Sequence, residues 1–119
     1  MSTFSVQVVV ANPAWPERRL NVALVVDTGA TYTLLPDEIV RQLELPSPWR
    51  RTATLASGED MTFAMGQVLI RLNREEMSTV FLARPPGCQG VIGAVTLEQF
   101  ALAADPVRQQ LVPVARIFL

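Results

Sequence analysis

Short apolar stretches separated by turn-forming residues dominate the chain and predict a series of strands. Residues 4–11 are rich in valine and partly alternate, and the sequence Asn12-Pro13-Ala14-Trp15-Pro16 that follows predicts a turn. A second strand is predicted over residues 18–26, directly before Asp27. Helical spacing with two acids in the first turn predicts a short helix over residues 37–43.

The second half of the chain predicts further strands and a hairpin. These strands cover residues 51–56, 61–73, 77–83, 102–105 and 110–114. Ser57-Gly58-Glu59-Asp60 predicts the hairpin tip, and a change in the apolar alternation around Gly66 predicts a bulge or bend. The pattern from Thr96 to Gln99 is typical of a capping box that opens a short helix through Ala101. We therefore expect an all-β sandwich or barrel with one or two short helices.

Length and composition predict one domain that covers residues 1–119. Half of the residues are hydrophobic and only 18% are charged, which is apolar for a soluble domain of this size. One explanation is a well-filled β core. The other is that a second copy of the chain covers part of the apolar surface.

Charge and apolar run length argue against two classes of partner, and the cysteine content indicates a location. A net charge of −1, with ten scattered arginines and no lysine, argues against nucleic-acid binding. No apolar run approaches the length of a membrane span, so no membrane partner is expected. Cys88 is the only cysteine and cannot form an intramolecular disulfide, which predicts a reducing, cytoplasmic location.

The chain contains no histidine, and this absence limits its chemistry. It excludes Ser-His-Asp and Cys-His catalysis, and with a single cysteine no zinc site or other metal cofactor is expected. Hydrolysis would therefore depend on carboxylates. The aspartates that could supply them are Asp27, Asp37, Asp60 and Asp105.

Asp27-Thr28-Gly29 is the strongest candidate because it follows a buried strand. Asp and Thr can bond the backbone of a turn, and Gly lets the chain reverse, so the turn can hold a carboxylate rigidly. One carboxylate is a poor catalyst of amide hydrolysis, whereas two that share a proton are a good one. The second could be Asp105, Asp60, or the Asp27 of another copy across a two-fold axis.

Three motifs in order resemble those of the retropepsin-like aspartic proteases, and most closely the small single-domain members found in bacteria. They are Val26-Asp27-Thr28-Gly29-Ala30-Thr31, Val91-Ile92-Gly93-Ala94 before a short helix, and Ala104-Asp105. The likeness extends from about Leu20 to Val114. It implies an acid-protease barrel, closed or semi-open, that assembles as a two-fold dimer. A monomeric pepsin-like enzyme carries two Asp-Thr-Gly motifs, whereas this chain has one.

The resemblance also implies a role for each matching residue. Asp27 would be the catalytic acid, paired with the Asp27 of the second subunit, and Asp105 would be structural. Thr28 would cross the two-fold axis, Gly29 would lie near the substrate and Ala30 would line the pocket. The segment from Leu55 to Met61 would be the flap over the substrate, including Ser57, Gly58 and Glu59, and Val91-Ile92-Gly93 would support the catalytic loop.

Some residues depart from the viral pattern. The flap has one glycine and two acids, the only tyrosine is Tyr32, and Ala94 stands where viral enzymes often carry an arginine. Three hypotheses follow: a dimeric aspartic endopeptidase acting on peptide or protein substrates, a catalytically silent dimeric binding or assembly module with the same fold, and a monomeric β-barrel ligand binder.

Overall fold

A computed structural model describes residues 3–119, which contain nine strands and two short helices. In chain order these are β1 (Phe4–Asn12), β2 (Trp15–Val26), β3 (Thr33–Pro36), α1 (Asp37–Gln42), β4 (Trp49–Thr54), β5 (Asp60–Leu72), β6 (Glu75–Arg84), β7 (Val91–Ile92), α2 (Ala94–Gln99), β8 (Leu102–Asp105) and β9 (Gln110–Pro113). The prediction of a mostly β fold with one or two short helices is confirmed. Neither of the helices described here is long and apolar enough to cross a membrane.

Seven of the strands form one strongly curved sheet. Their order is β1-β2-β7-β3-β6-β5-β4, and β8 and β9 form a separate hairpin. The curvature brings β1 back to β5, where Val10 lies opposite Ile70 in an antiparallel pair. Parallel pairing joins β2 to β7 and β3 to β6. The short strand β7 therefore lies between β2 and β3, beside the point where the chain leaves β2 for Asp27.

The interior holds two apolar clusters. The larger one lies inside the curved sheet and includes Leu24, Ile70 and Phe81, each fully buried. The smaller one is built on Phe63, Met65 and Leu82, with partly buried residues packed around it. Together they account for much of the high apolar content of the chain, as a well-filled β core would.

Of the bulge or bend predicted at Gly66, the bulge is wrong. Strand β5 pairs with β6 in continuous register from Met65 to Leu72. The apolar alternation changes phase because the two halves of β5 bury opposite faces: Phe63 and Met65 belong to the smaller cluster, and Val68, Ile70 and Leu72 to the larger. Gly66 is needed for space instead, since a Cβ there would lie 2.2 Å from the Pro46 carbonyl oxygen.

The predicted capping box at Thr96 is also wrong. Helix α2 begins at Ala94 with Gly93 as its N-cap, so Thr96 lies inside the helix. Its side chain is fully buried and its hydroxyl bonds other threonines. The capping pattern is local and therefore cannot reveal that the same hydroxyl has a tertiary partner.

Asn12 connects the β1–β2 hairpin to the end of α1. Its side-chain amide is buried and donates to the Leu43 carbonyl at 2.9 Å and to the Glu44 carbonyl at 3.2 Å. Its Oδ1 accepts from the Ala14 N–H at 2.9 Å. These bonds satisfy backbone groups that the turns leave unpaired.

We expect Asn12→Ala to lower the free energy of unfolding by about 2 kcal/mol, because it leaves partly buried backbone groups without partners. Urea denaturation at neutral pH measures this loss. Asn21→Ala, at an exposed position of β2, is the matched control and should change stability by less than about 0.5 kcal/mol. Equal losses in the two variants would contradict a bonding role for Asn12.

Candidate active site

Asp27 lies at the end of β2 in a tight turn that fixes its carboxylate. Its Oδ1 accepts from the Gly29 N–H at 2.9 Å, and its carbonyl accepts from the Ala30 N–H at 3.1 Å. Asp27 is half-buried, while Thr28 and Gly29 are exposed. The turn therefore holds one carboxylate oxygen in place and leaves the group accessible from outside.

The chain around β7 supports the turn from both sides. The Asp27 N–H donates to the Ile92 carbonyl at 3.1 Å, which continues the parallel pairing of β2 with β7. Beyond the turn, Ala94 donates to the Ala30 carbonyl at 2.7 Å and Val95 to the Thr31 carbonyl at 3.0 Å. Backbone bonds thus tie the end of β7 to the start of the Asp27 turn and the first residues of α2 to the chain just beyond it.

Gly93 allows this close approach between backbones. A Cβ built on Gly93 would lie 2.4 Å from both the carbonyl carbon and the carbonyl oxygen of Tyr32, and 2.9 Å from the Ala30 carbonyl oxygen. Any side chain at this position would displace the loop that carries Asp27.

A buried threonine network under the loop was not predicted from the sequence. The Gly93 N–H donates to Thr33 Oγ1 at 3.2 Å, and Thr33 Oγ1 lies 2.6 Å from Thr96 Oγ1. Thr79 joins the network from β6, and all three threonines are at most 2% exposed. The available signal was the position of Thr33 and Thr79 directly before the apolar residues of their strands, where a buried polar side chain needs a partner.

The predicted hairpin tip lies between β4 and β5. Gly58 has φ 88° there, a left-handed conformation that favours glycine. The Leu55 N–H donates to the Glu59 carbonyl and the Gly58 N–H to the Leu55 carbonyl, both at 2.8 Å. Ser57, Gly58 and Glu59 are exposed, so the tip projects from the sheet. Its role as a flap remains a prediction.

The smaller apolar cluster connects the loop after Asp27 with the hairpin. Tyr32, from that loop, and Leu55, from the hairpin, both pack against the cluster of Phe63, Met65 and Leu82. The chain's only tyrosine therefore lies in the loop after Asp27 and packs on the same apolar surface as the hairpin. Loop and hairpin therefore share one packing surface.

The three other aspartates are engaged in local structure. Asp37 pairs with Arg41 at 2.6 Å in α1, and Asp60 accepts from the Thr54 hydroxyl at 2.7 Å. Asp105 accepts from two backbone N–H groups of the β8–β9 turn, at 3.1 and 3.2 Å. Within residues 3–119, no hydrogen bond joins any of these carboxylates to Asp27.

Comparison with known proteins supports the resemblance seen in the sequence. The family model described as aspartyl protease matches residues 6–96, which include Asp27, the hairpin and β7. No curated protein matches the chain significantly.

Among solved structures, the chain is similar to EIAV protease complexed with the inhibitor HBY-793, a retroviral protease. The TM-score is 0.59 at 15% sequence identity, and the match covers 83% of this chain and 88% of the viral one. At this identity the likeness concerns the fold. Because the family model covers well over half of the chain, the protein belongs to the retropepsin-like aspartyl protease family.

Proposed function

We propose that the protein is an aspartic endopeptidase that acts as a homodimer, with Asp27 of each subunit forming the catalytic pair. The observation that carries this proposal is a half-exposed Asp27 carboxylate in a firmly bonded turn, while the other aspartates hold local structure. A single carboxylate cannot act as both acid and base in one step. A second copy of the same turn across a two-fold axis supplies the missing group.

Two carboxylates in contact cannot both be ionised, so the pair shares one proton. The ionised Asp27 takes a proton from water while the water oxygen attacks the scissile carbonyl carbon, and the neutral Asp27 donates its proton to the carbonyl oxygen. The tetrahedral intermediate then collapses as a proton passes to the amide nitrogen. The C–N bond breaks and leaves a carboxylic acid and an amine.

We assign supporting roles to the neighbouring residues. Exposed Thr28 contacts the partner loop, Gly29 lets the substrate backbone approach, and Ala30 lines the pocket. Ser57, Gly58 and Glu59 close over the peptide and exclude water from the reaction. The acids of this flap favour substrates without negative charge near the scissile bond.

Apolar side chains outside the core support an interface between two copies. In the segment after β9, Ile117 is 66% exposed and Phe118 is 82% exposed, and Val114 is exposed as well. Burial of such residues against a second chain is favourable by about 25 cal/mol per Å² of apolar surface. In the assembled dimer, the strands linked from β1 through β2, β7, β3, β6 and β5 back to β1 form the barrel of each subunit.

We expect the specific activity to fall on dilution, because the active site forms only in the dimer. Below the dimer Kd, the rate of cleavage of an unfolded protein should rise with the square of the chain concentration. Cleavage rates at mildly acidic pH, measured beside sedimentation over the same concentrations, test this relation. A statine-type transition-state mimic should shift the sedimenting species toward the dimer.

Constant specific activity in a preparation that sediments as a monomer would contradict a shared site. A dimer that cleaves nothing and does not respond to the mimic would instead identify the silent binding module.

A further inference from the structure

The hydroxyls under the Asp27 loop form one continuous chain. Thr33 Oγ1 lies 2.6 Å from Thr96 Oγ1, which lies 2.9 Å from Thr79 Oγ1. Thr79 donates to the side-chain oxygen of Gln99 at 2.5 Å. At the other end, the Gly93 N–H donates to Thr33 Oγ1 at 3.2 Å. Five residues are thus linked from the active-site side of the fold to the exposed end of α2.

Only one direction of donation satisfies every member of this chain. A threonine hydroxyl has one proton to donate. Thr79 gives its proton to Gln99, so it must accept from Thr96. Thr96 then has no proton left for Thr33, and Thr33 must donate to Thr96 while it accepts from the Gly93 N–H.

The Ser78 carbonyl fixes the orientation of the Gln99 side-chain amide, and with it the direction of donation along the hydroxyl chain. Gln99 Nε2 donates to it at 3.2 Å, so Gln99 Oε1 is the atom that faces Thr79. The opposite amide orientation would place two acceptors against each other at Ser78. An exposed glutamine on the surface of α2 therefore sets the orientation of three buried hydroxyls.

The hydroxyl chain begins at the Gly93 N–H, next to the residues that bond the Asp27 turn. Gly93 stands between Ile92, which accepts from the Asp27 N–H, and Ala94, which donates to the Ala30 carbonyl. We propose that the one-way hydroxyl chain positions the catalytic loop, and that Thr96 and Gln99 are positioning residues for the reaction. This inference rests on the proposed function for its effect on catalysis, while its effect on the loop can be measured without any activity.

The first test is amide hydrogen exchange of Thr96→Val and Thr96→Ser. Valine keeps the shape of threonine and removes the hydroxyl, whereas serine keeps the hydroxyl. We expect Thr96→Val to increase exchange at the Asp27 and Ala94 amides about 10-fold beyond the change in global stability. Thr96→Ser should leave it within about twofold after the same correction.

Val10→Ala is the matched control, because Val10 is fully buried in β1, away from the threonine network. It lowers global stability by removing core methyl groups. The proposal is overturned if Thr96→Val affects the Asp27 and Ala94 amides no more than this control does. It is equally overturned if Thr96→Ser behaves like Thr96→Val.

Gln99 gives a second test at a position where the fold tolerates change, because its side chain is exposed. Gln99→Leu removes the terminal acceptor, and we expect the Asp27 amide to exchange several-fold faster. Gln99→Glu keeps an acceptor for Thr79 but loses the Nε2 donor to the Ser78 carbonyl, so it should restore part of the protection. Equal exchange in these two variants would overturn the assigned direction.

The kcat and KM of the Thr96 variants give a third test. A loop held less well misplaces Asp27, so Thr96→Val should lower kcat about 10-fold with KM within about twofold, and Thr96→Ser should retain kcat. An equal kcat in Thr96→Val and wild type overturns the positioning role. If the wild-type protein cleaves nothing, the proposed function fails, and the exchange comparison still decides whether the hydroxyl chain holds the loop.

Discussion

Asp27→Asn is expected to abolish peptide cleavage, with a decrease in kcat of at least about 10³-fold, because an amide cannot take a proton from water. The fold should persist, since Asn Oδ1 can still accept the Gly29 N–H that bonds Asp27 Oδ1 at 2.9 Å. Cleavage of an unfolded protein at mildly acidic pH and thermal unfolding of the same preparation measure the two effects. Activity retained in a well-folded variant would contradict a catalytic role for Asp27.

A mixture of the two proteins tests whether each site needs both carboxylates. If equal amounts of wild type and Asp27→Asn exchange subunits freely, about one quarter of the dimers contain two intact Asp27 residues. The activity should then be about half of that given by the same wild-type protein alone. An unchanged activity after full subunit exchange would show that each wild-type chain carries its own independent site, and a rise to about 1.5 times would show that one Asp27 is sufficient for a shared site.

Gly93→Ala is expected to damage both stability and activity. Its Cβ would lie 2.4 Å from the backbone of Tyr32, and neither that carbonyl nor the one of Ala30 can move without displacing the Asp27 turn. Overpacking against backbone should cost about 3 kcal/mol of unfolding free energy. At a temperature where the variant is still folded, kcat should fall by about 10²-fold.

Gly90→Ala is the matched control for this substitution. A Cβ there would meet Leu24 Cδ2 at 2.5 Å, so the end of a side chain has to shift and not the backbone of the Asp27 loop. We expect a loss of about 1 kcal/mol and nearly normal kcat. A Gly93→Ala protein with the stability and activity of this control would show that the Gly93 contact does not hold the catalytic loop.

Local patterns in the sequence were sufficient to predict seven of the nine strands and the turn that carries Asp27, whereas the short strands β3 and β7 were not predicted as strands. Strand β2 was predicted to end at Val26 and does so, because valine-rich sequence followed by Asp-Thr-Gly combines a strand signal with a turn signal. The predicted strand over residues 102–105 also matches β8. The predicted functions of Asp27 and of the hairpin residues stay predictions.

Features that depend on tertiary contact could not be predicted. Thr96 satisfies a capping pattern, yet its hydroxyl bonds Thr33 and Thr79, which are distant in sequence. The change in apolar alternation at Gly66 resembles the pattern that a bulge produces. Periodicity shows that the buried face of the strand changes, but it cannot show that a second apolar cluster lies on the other side. Whether Asp60 or Asp105 meets Asp27 is likewise decided by the turns that hold them.

The two halves of strand β5 are held to different degrees by their neighbours. From Met65 to Leu72 it is paired with β6, and around Ile70 it is paired with β1 as well. From Asp60 to Ala64 its only strand partner within residues 3–119 is β4, and in this part Phe63 is also held by the smaller apolar cluster. The tip of a hairpin moves more easily as the length of strand without a second partner increases. The stiffness of the hairpin is therefore set by the β6 pairing that stops at Met65 and by the packing of Phe63, and not by the residues at its tip.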